Sequence, residues 1–130
     1  MPDSGSISDE IKRFILTSVP SVPYLEAMLL LRNDPASPWD AARLSKRLYI
    51  SEKAATSLLA ELHEAGIVHT EEQSPEAFCF SPATESLRDI IGQLAAAYTT
   101  QLVEVTHLIH SKTGKKAQHF ADAFKWRKDS

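Results

Sequence analysis

The sequence predicts a mainly α-helical protein with one small β-hairpin. Apolar residues recur at helical spacing over four segments in the first half of the chain and again over residues 83–110. Residues that favour strands are confined to two short runs between positions 67 and 80. The chain has 130 residues, of which 43% are apolar and 24% charged, close to the average of a globular domain. We therefore expect one domain of ordinary size around one core.

Two helices are expected before residue 35. The first begins after Ser6 or Ser8 and has an apolar face that includes Ile11 and Ile15. The second, over residues 24–32, is apolar nearly all round. A helix of that composition is expected to lie in the core.

A pair of helices follows. Asp40 is a good N-cap for a helix of about two turns over residues 41–48. A three-residue turn separates it from a longer helix over residues 52–65, which Ser51 caps and Gly66 ends. Four apolar residues of the longer helix have the i, i+3, i+4, i+7 spacing of a core-facing surface: Ala55, Leu58, Leu59 and Leu62.

A hairpin and one long helix complete the prediction. The strands are expected at residues 67–70 and 77–80, joined by the polar segment 71–76. After Ser81-Pro82, a cap and first-turn proline, one helix of roughly 40 Å is predicted over residues 83–110. Its apolar stripe alternates steps of four and three, with a stutter between the fourth and fifth members: Leu87, Ile91, Leu94, Tyr98, Leu102, Val105 and Ile109.

Several classes of protein are disfavoured. No apolar run approaches the roughly 20 residues that span a bilayer, and residues 1–6 lack the layout of a signal peptide, so we expect a cytoplasmic protein with no membrane span. The single cysteine, Cys79, excludes an internal disulfide framework and a multi-cysteine zinc site. Four glycines leave no room for a glycine-rich phosphate loop.

The sequence offers no set of catalytic or metal-binding residues. No serine is placed beside a base on a strand-to-helix elbow, and no catalytic pair of carboxylates is found. His107 and His110 are three residues apart, but no carboxylate or cysteine neighbour completes a ligand set at the usual spacing. We therefore expect no catalytic residue, no metal and no cofactor, and a protein that is not an enzyme.

The predicted elements from residue 41 to residue 80 are a short helix, a turn, a longer helix and a hairpin. A winged helix-turn-helix has its elements in this order. Residues 21–82 resemble the MarR-type winged-helix superfamily: residues 41–48 resemble the first helix of the motif, and residues 51–68 resemble its recognition helix and the start of its wing. With the ending Phe120-Ala121-Asp122-Ala123-Phe124-Lys125-Trp126, the whole chain also resembles a group of small bacterial winged-helix proteins.

The resemblance implies a DNA-binding transcriptional regulator. In such regulators the N-terminal half of the recognition helix enters the major groove, where Lys53, Thr56 and Ser57 would lie near bases. The remaining expected DNA-binding residues are Ser51 at the helix cap and three cations that would hold the flanking phosphates: Arg43, Lys46 and Arg47. The alternative is that these residues are only the solvated face of an amphipathic helix pair.

The charge distribution opposes strong DNA binding. Residues 1–110 carry 8 basic and 15 acidic residues, a balance of −7, whereas residues 111–130 carry six basic and two acidic residues, a balance of +4. Glu71, Glu72 and Glu76 surround the expected tip of the wing, where MarR-type wings commonly present a basic residue. Either the wing stays away from the duplex, or this winged helix binds an unidentified protein partner instead of DNA.

The long helix is expected to form a homodimer, because its stripe exceeds what the core of residues 7–80 can cover. Twofold pairing would place two recognition helices about 34 Å apart, as successive major grooves require. The alternative is that the helix folds back over its own domain. The expected division of the chain is a helical arm (1–20), the winged helix-turn-helix (21–82), the dimerisation helix (83–110) and a basic amphipathic tail (111–130). The tail is expected to dock on the partner subunit, with contact to phosphates or to an anionic membrane surface as the alternatives.

Overall fold

The computed structural model describes residues 7–111 of the chain. Over that range it is mainly helical with one two-stranded antiparallel hairpin, an arrangement consistent with a winged helix. All but the first residue of the predicted basic tail lies outside the described residues. The elements in chain order are α1 (Asp9–Ser18), α2 (Val22–Asn33), α3 (Ala41–Leu48), α4 (Glu52–Glu64), β1 (Val68–Glu71), β2 (Ser74–Phe80), α5 (Glu85–Thr100) and α6 (102–111).

The described chain forms two compact units rather than the one that composition suggested. The terminal unit consists of residues 7–22 and 96–111, and the central unit consists of residues 23–95. Buried side chains of the terminal unit are Ile7, Ile11, Ile15, Val19, Val105 and Ile109. The central unit buries a larger set, whose fully covered members include Leu25, Met28, Leu31, Trp39, Leu44, Leu59, Leu62, Ile67, Ile91 and Leu94.

The first two helices are formed as their sequences predict. Ser8 is the N-cap of α1, and its hydroxyl oxygen accepts a hydrogen bond from the amide of Ile11 at 3.2 Å. Five residues of α2 are buried, which confirms that this apolar helix lies in the core: Tyr24, Leu25, Ala27, Met28 and Leu31.

The helix pair also begins at the predicted caps. The side chain of Asp40 accepts from the amide of Arg43 at 2.8 Å at the start of α3, and Ser51 accepts from the amide of Ala54 at 3.0 Å at the start of α4. Between the helices, Tyr49 takes a left-handed conformation with φ 58°, and its amide and that of Ile50 both donate to the carbonyl of Ser45. These contacts fix a tight turn.

The hairpin is longer and its turn shorter than predicted. The strands pair from Val68 opposite Phe80 to Thr70 opposite Phe78, and then the register shifts so that Glu71 pairs with Ser74. Most of the segment predicted as a loop therefore belongs to the strands, with a bulge that leaves three residues of β2 without opposing partners. Gly66, at φ 77°, leads into β1 in a backbone conformation that glycine adopts without strain.

A single residue outside the hairpin extends the sheet. The amide of Trp39 donates to the carbonyl of Phe78, and the amide of Phe78 donates to the carbonyl of Trp39, both at 2.8 Å. The short strand expected at Pro38-Trp39 is thus one antiparallel bridge. It joins the segment before α3 to β2 and so holds the helix pair against the hairpin.

The helix predicted over residues 83–110 is divided in two. Helix α5 begins after Thr84, whose hydroxyl accepts from the amide of Leu87 at 3.1 Å, so the cap is Thr84 and not Ser81. Gln101 separates α5 from α6. Its amide still donates to the carbonyl of Ala97 and its carbonyl accepts from the amide of Val105, so the break falls at the stutter in the apolar stripe.

Within residues 7–111, no single helix has both the length and the apolar content needed to cross a membrane. Helices α1 and α2 meet that test only when they are taken together as a bent pair.

Candidate nucleic-acid interface

Helix α4 has one buried and one exposed face. Its buried residues are the four that the spacing placed toward the core, so that prediction is confirmed: Ala55, Leu58, Leu59 and Leu62. Lys53, Thr56 and Ser57 are exposed on the other side of the helix. The caps fix where the helix starts, and the apolar spacing fixes which way it faces. In a single chain, this polar face is open to a partner.

Two hydroxyl groups of α4 already make hydrogen bonds within the helix. Ser51 accepts from the amide of Ala54, and the hydroxyl of Thr56 donates to the carbonyl of Glu52 at 2.8 Å. Thr56 therefore presents an acceptor oxygen and a methyl group to its surroundings. Lys53 is the long cationic donor of this face.

The first cation of α3, Arg43, is held by its own domain. Its guanidinium carbon lies 3.7 Å from the centroid of the Trp39 ring, within the range of a cation–π contact. Nη1 donates to the carbonyl of Pro38 at 3.0 Å, and Nη2 donates to the Asp34 carboxylate at 3.2 Å. These three contacts fix the side chain, so a phosphate would have to compete with them for Arg43.

The ring beneath Arg43 is almost completely buried. Trp39 is 1% exposed, and its indole N–H is the buried side-chain donor without a hydrogen-bond partner in the described part of the chain. Such a group costs about 1–3 kcal/mol. The guanidinium of Arg47 also lies over this ring, at 5.9 Å from its centroid, so two cations face one buried aromatic group.

The later cations of α3 are available to a partner. Lys46 and Arg47 are both exposed in the last turn of the helix, where cations interact favourably with the helix dipole. Together with Lys53 of α4, they are exposed cations of the helix pair.

Sequence reasoning missed Tyr49. This side chain is 93% exposed at the turn between α3 and α4. Among the non-glycine residues of 7–111, Tyr49 alone has a positive φ. A left-handed conformation costs a non-glycine residue roughly 1–2 kcal/mol. The sequence did contain a signal: a tyrosine occupies the position just after a helix, and glycine or asparagine is usual there.

The hairpin carries acidic groups at its tip. Glu71, Glu72 and Glu76 are all exposed. The tip of the hairpin is therefore acidic and not basic, as the sequence indicated. These carboxylates would face the phosphates of any duplex that the hairpin approached.

A cleft of about 420 Å³ lies inside the central unit between the start of α3, the first two turns of α4 and the second strand. Its walls include the buried Leu59 and the half-buried Phe78. Three carboxylate-bearing residues line it as well: Asp40, Glu52 and Glu76. The cleft opens beside Thr56, and so beside the polar face of α4.

The apolar stripe predicted for dimerisation is partly covered within one chain. Ile91, Leu94, Val105 and Ile109 are each fully buried without a partner copy. Leu87 and Tyr98 are half-buried, whereas Leu102 is 50% exposed and its neighbour Val103 is 79% exposed. The exposed apolar surface of the stripe is therefore concentrated just after the break at Gln101.

Few titratable or metal-ligating groups are buried. Within residues 7–111, no three His, Cys, Asp or Glu side chains gather as the ligands of a metal would. Cys79 is half-buried, and its thiol donates to the carbonyl of Ser37 at 3.8 Å. Burial, with a smaller contribution from the Glu61 carboxylate, raises the pKa of the Tyr24 hydroxyl above 10.0.

Comparison with known proteins gives distant structural similarity. No protein-family model matches the chain, and no curated protein matches it. A solved protein of Mycobacterium tuberculosis, RV1404, is similar at 16% identity over 75% of this chain and 68% of its own, with a TM-score of 0.49. A possible transcriptional regulator from Methanosarcina mazei Go1 is similar at 16% identity over 80% and 91% of the two chains, with a TM-score of 0.46. At this level of similarity, the role of the chain has to be inferred from its own residues.

Proposed function

We propose that this protein is a DNA-binding transcriptional regulator of the bacterial winged-helix type, related to the MarR-type superfamily and acting as a homodimer in the cytoplasm. It is not an enzyme and uses no cofactor. The observation that carries the proposal is the exposed polar face of α4, which begins at Ser51 and lies beside the exposed cations of α3.

The residues take separate roles in this proposal. Helix α4 enters the major groove, where Lys53 donates to base edges or phosphates and Thr56 and Ser57 meet the groove floor. Lys46 and Arg47 hold the flanking backbone. Arg43, which is fixed over Trp39, supports the geometry of α3 instead of reaching the duplex.

Contact through the helix pair alone agrees with the acidic hairpin. Because Glu71, Glu72 and Glu76 are exposed, the hairpin stays away from the phosphates and only a few cations per subunit neutralise the DNA. A small number of neutralised phosphates predicts weak non-specific binding and a modest salt dependence. Affinity for a particular site then depends on contacts to base edges.

The test is a titration of fluorescent genomic fragments with the full chain at two salt concentrations, read by anisotropy. The double variant Arg47→Glu/Lys53→Glu is expected to bind about a hundredfold more weakly, with a salt slope that is smaller by about 1 for each phosphate that the variant no longer neutralises. Arg13→Glu/Lys12→Glu on α1 is the matched control, since it changes the net charge equally but lies far along the chain from α3 and α4.

Two results would contradict the proposal. Normal DNA binding by the Arg47→Glu/Lys53→Glu protein would mean that the contact surface lies elsewhere. No binding at low salt by the natural chain would favour the second candidate, a winged helix that binds a protein. The acidic hairpin and the carboxylates around the cleft support that second candidate, because they suit a cationic protein surface better than a duplex.

The homodimer is proposed to form through the exposed apolar residues that follow Gln101. Leu102 and Val103 are the most exposed large apolar side chains of α6, and burying them against a second copy removes apolar area from water. The mass in solution is expected to be twice the 14.4 kDa of one chain. Val103→Glu is expected to give a monomer, whereas Gln93→Glu, which makes the same charge change at an exposed position on α5, is expected to remain dimeric.

A further inference from the structure

The cleft in the central unit has mostly apolar walls. Three separate segments form it: the first turn of α3, the first two turns of α4 and the second strand. Leu59 and Phe78 lie on its inner side, and Ala60 and Pro75 stand at its exposed edge. At about 420 Å³, its volume is in the range of small-molecule sites, which run from about 300 to about 1,000 Å³.

The polar side chains around these walls are all hydrogen-bond acceptors. Asp40, Glu52 and Glu76 contribute carboxylates, and among residues 7–111 no Lys, Arg or His lines the cleft. The hydroxyl hydrogen of Thr56 is bonded to the carbonyl of Glu52, so this side chain also presents an acceptor. A ligand that satisfies these groups must carry hydrogen-bond donors, and a positive charge is favoured because three of the acceptors are carboxylates.

We propose that this cleft is a binding site for a small organic cation, with an apolar aromatic body against Leu59 and Phe78 and an amidinium- or ammonium-type head between the carboxylates of Glu52 and Glu76. The apolar body removes water from Phe78 and Leu59. The charged head makes charge-assisted hydrogen bonds with the acidic rim. A cleft of this volume suits a small molecule better than an extended peptide.

This site adjoins the proposed DNA-contact surface, and Thr56 belongs to both. Its test contains no DNA, so the cleft can be tested whether or not the protein binds DNA. Failure of the cation to bind would leave the proposed regulator unaffected, and failure of DNA binding would leave the cleft unaffected.

The experiment uses three ligands of nearly equal shape and different charge: biphenyl-4-carboxamidinium, biphenyl-4-carboxamide and biphenyl-4-carboxylate. Calorimetric titration into the full chain is expected to show saturable binding of the amidinium. The neutral amide should bind about tenfold more weakly, because it cannot make the charge-assisted hydrogen bonds, and the carboxylate should not bind. Equal binding of the three, or no binding of the amidinium, would overturn the proposal.

Variants locate the binding on the protein. Glu52→Gln/Glu76→Gln is expected to weaken the amidinium about tenfold or more, and Ala60→Trp, at an exposed position on the edge of the cleft, is expected to block it by filling the space. Glu72→Gln/Glu64→Gln changes the charge equally at exposed acids that do not line the cleft and is expected to bind normally.

Two controls complete the test: one checks that each variant is folded, and the other distinguishes a small cation from a cationic peptide as the ligand. Circular dichroism and thermal unfolding establish that each variant is folded, and the conservative Glu→Gln changes keep the test valid if Ala60→Trp does not fold. Amidinium binding that survives both the Glu52→Gln/Glu76→Gln change and Ala60→Trp would overturn the proposal. So would a lysine-rich peptide that binds through Glu52 and Glu76 while the amidinium does not, because the cleft would then be a peptide site.

Discussion

Arg43 and Arg47 lie one turn apart on α3, and the structure places them differently. Arg43 stacks on Trp39 and bonds to Asp34 and Pro38, whereas Arg47 is exposed, with its guanidinium 5.9 Å from the same ring. We call Arg43 and the residues that it contacts, Trp39, Asp34 and Pro38, the inner side of the helix pair. The outer side consists of exposed residues: Lys46, Arg47, Tyr49 and Lys53. Two cations of the same helix therefore differ in how freely a partner can reach them.

The largest effect is expected on the inner side at Trp39. Replacing a fully buried tryptophan by alanine removes its packing and leaves a cavity, at a cost of about 3–5 kcal/mol in the free energy of unfolding. Urea unfolding measures it. Trp39→Phe, which keeps an aromatic ring under Arg43 and removes the unpartnered N–H, is expected to cost less. If both variants were as stable as the natural chain, the inner side would not be what holds α3.

The two arginines are expected to separate stability from DNA binding. Arg43→Ala removes a cation–π contact and a partly exposed ion pair, so the free energy of unfolding should fall by about 1–2 kcal/mol. Arg47→Ala should leave stability within about 0.5 kcal/mol and weaken DNA binding about tenfold. Urea unfolding and anisotropy titration of both variants measure the two effects. The distinction between inner and outer sides would fail if the two variants behaved alike.

Tyr49 sharpens the comparison, because it combines backbone strain with full exposure. Tyr49→Gly relieves the left-handed conformation and is expected to raise the free energy of unfolding by about 0.5–1 kcal/mol. The same change is expected to weaken DNA binding several-fold if the ring contacts the backbone beside Arg47. Tyr49→Asn, which also tolerates this conformation, is the control for strain. A glycine variant that is less stable would show that the tyrosine is not strained.

The smallest effect lies outside the helix pair and concerns the pH dependence of stability at Tyr24, a buried residue of α2. Because burial raises the pKa of Tyr24 above 10.0, the folded state holds this proton more tightly than the unfolded state. The stability that this proton contributes is complete below about pH 10. It is lost as the pH rises through the pKa that Tyr24 has in the folded state. The natural chain should therefore lose more stability than Tyr24→Phe between about pH 9 and about pH 11. Parallel losses in the two proteins would contradict this.

The helix pair could be predicted from the sequence because its signals are local. Asp40 and Ser51 cap helices through hydrogen bonds to amides three residues away, and the spacing of Leu58, Leu59 and Leu62 fixes the face of α4 without reference to the rest of the fold. Capping and periodicity act within one or two turns, so they survive in the sequence as readable patterns.

Features that depend on distant contacts could not be predicted in the same way. The fixed position of Arg43 requires Asp34 and Trp39 to meet α3, and the cleft requires three separate segments. The break at Gln101 escaped prediction for a different reason. The apolar spacing of four and three residues continues on both sides of it, and neither glycine nor proline marks it, so the stutter between Tyr98 and Leu102 was its only trace.

The bulge in the hairpin has a consequence for how copies of this protein meet. An exposed strand edge invites pairing with strands of other molecules, which can end in aggregation. Here the ladder changes register after Thr70, and the second strand continues through Pro75, which has no amide hydrogen to donate. The like charges on Glu72 and Glu76 also oppose the close approach of two hairpins. The exposed hairpin is therefore a poor template for pairing with a second copy.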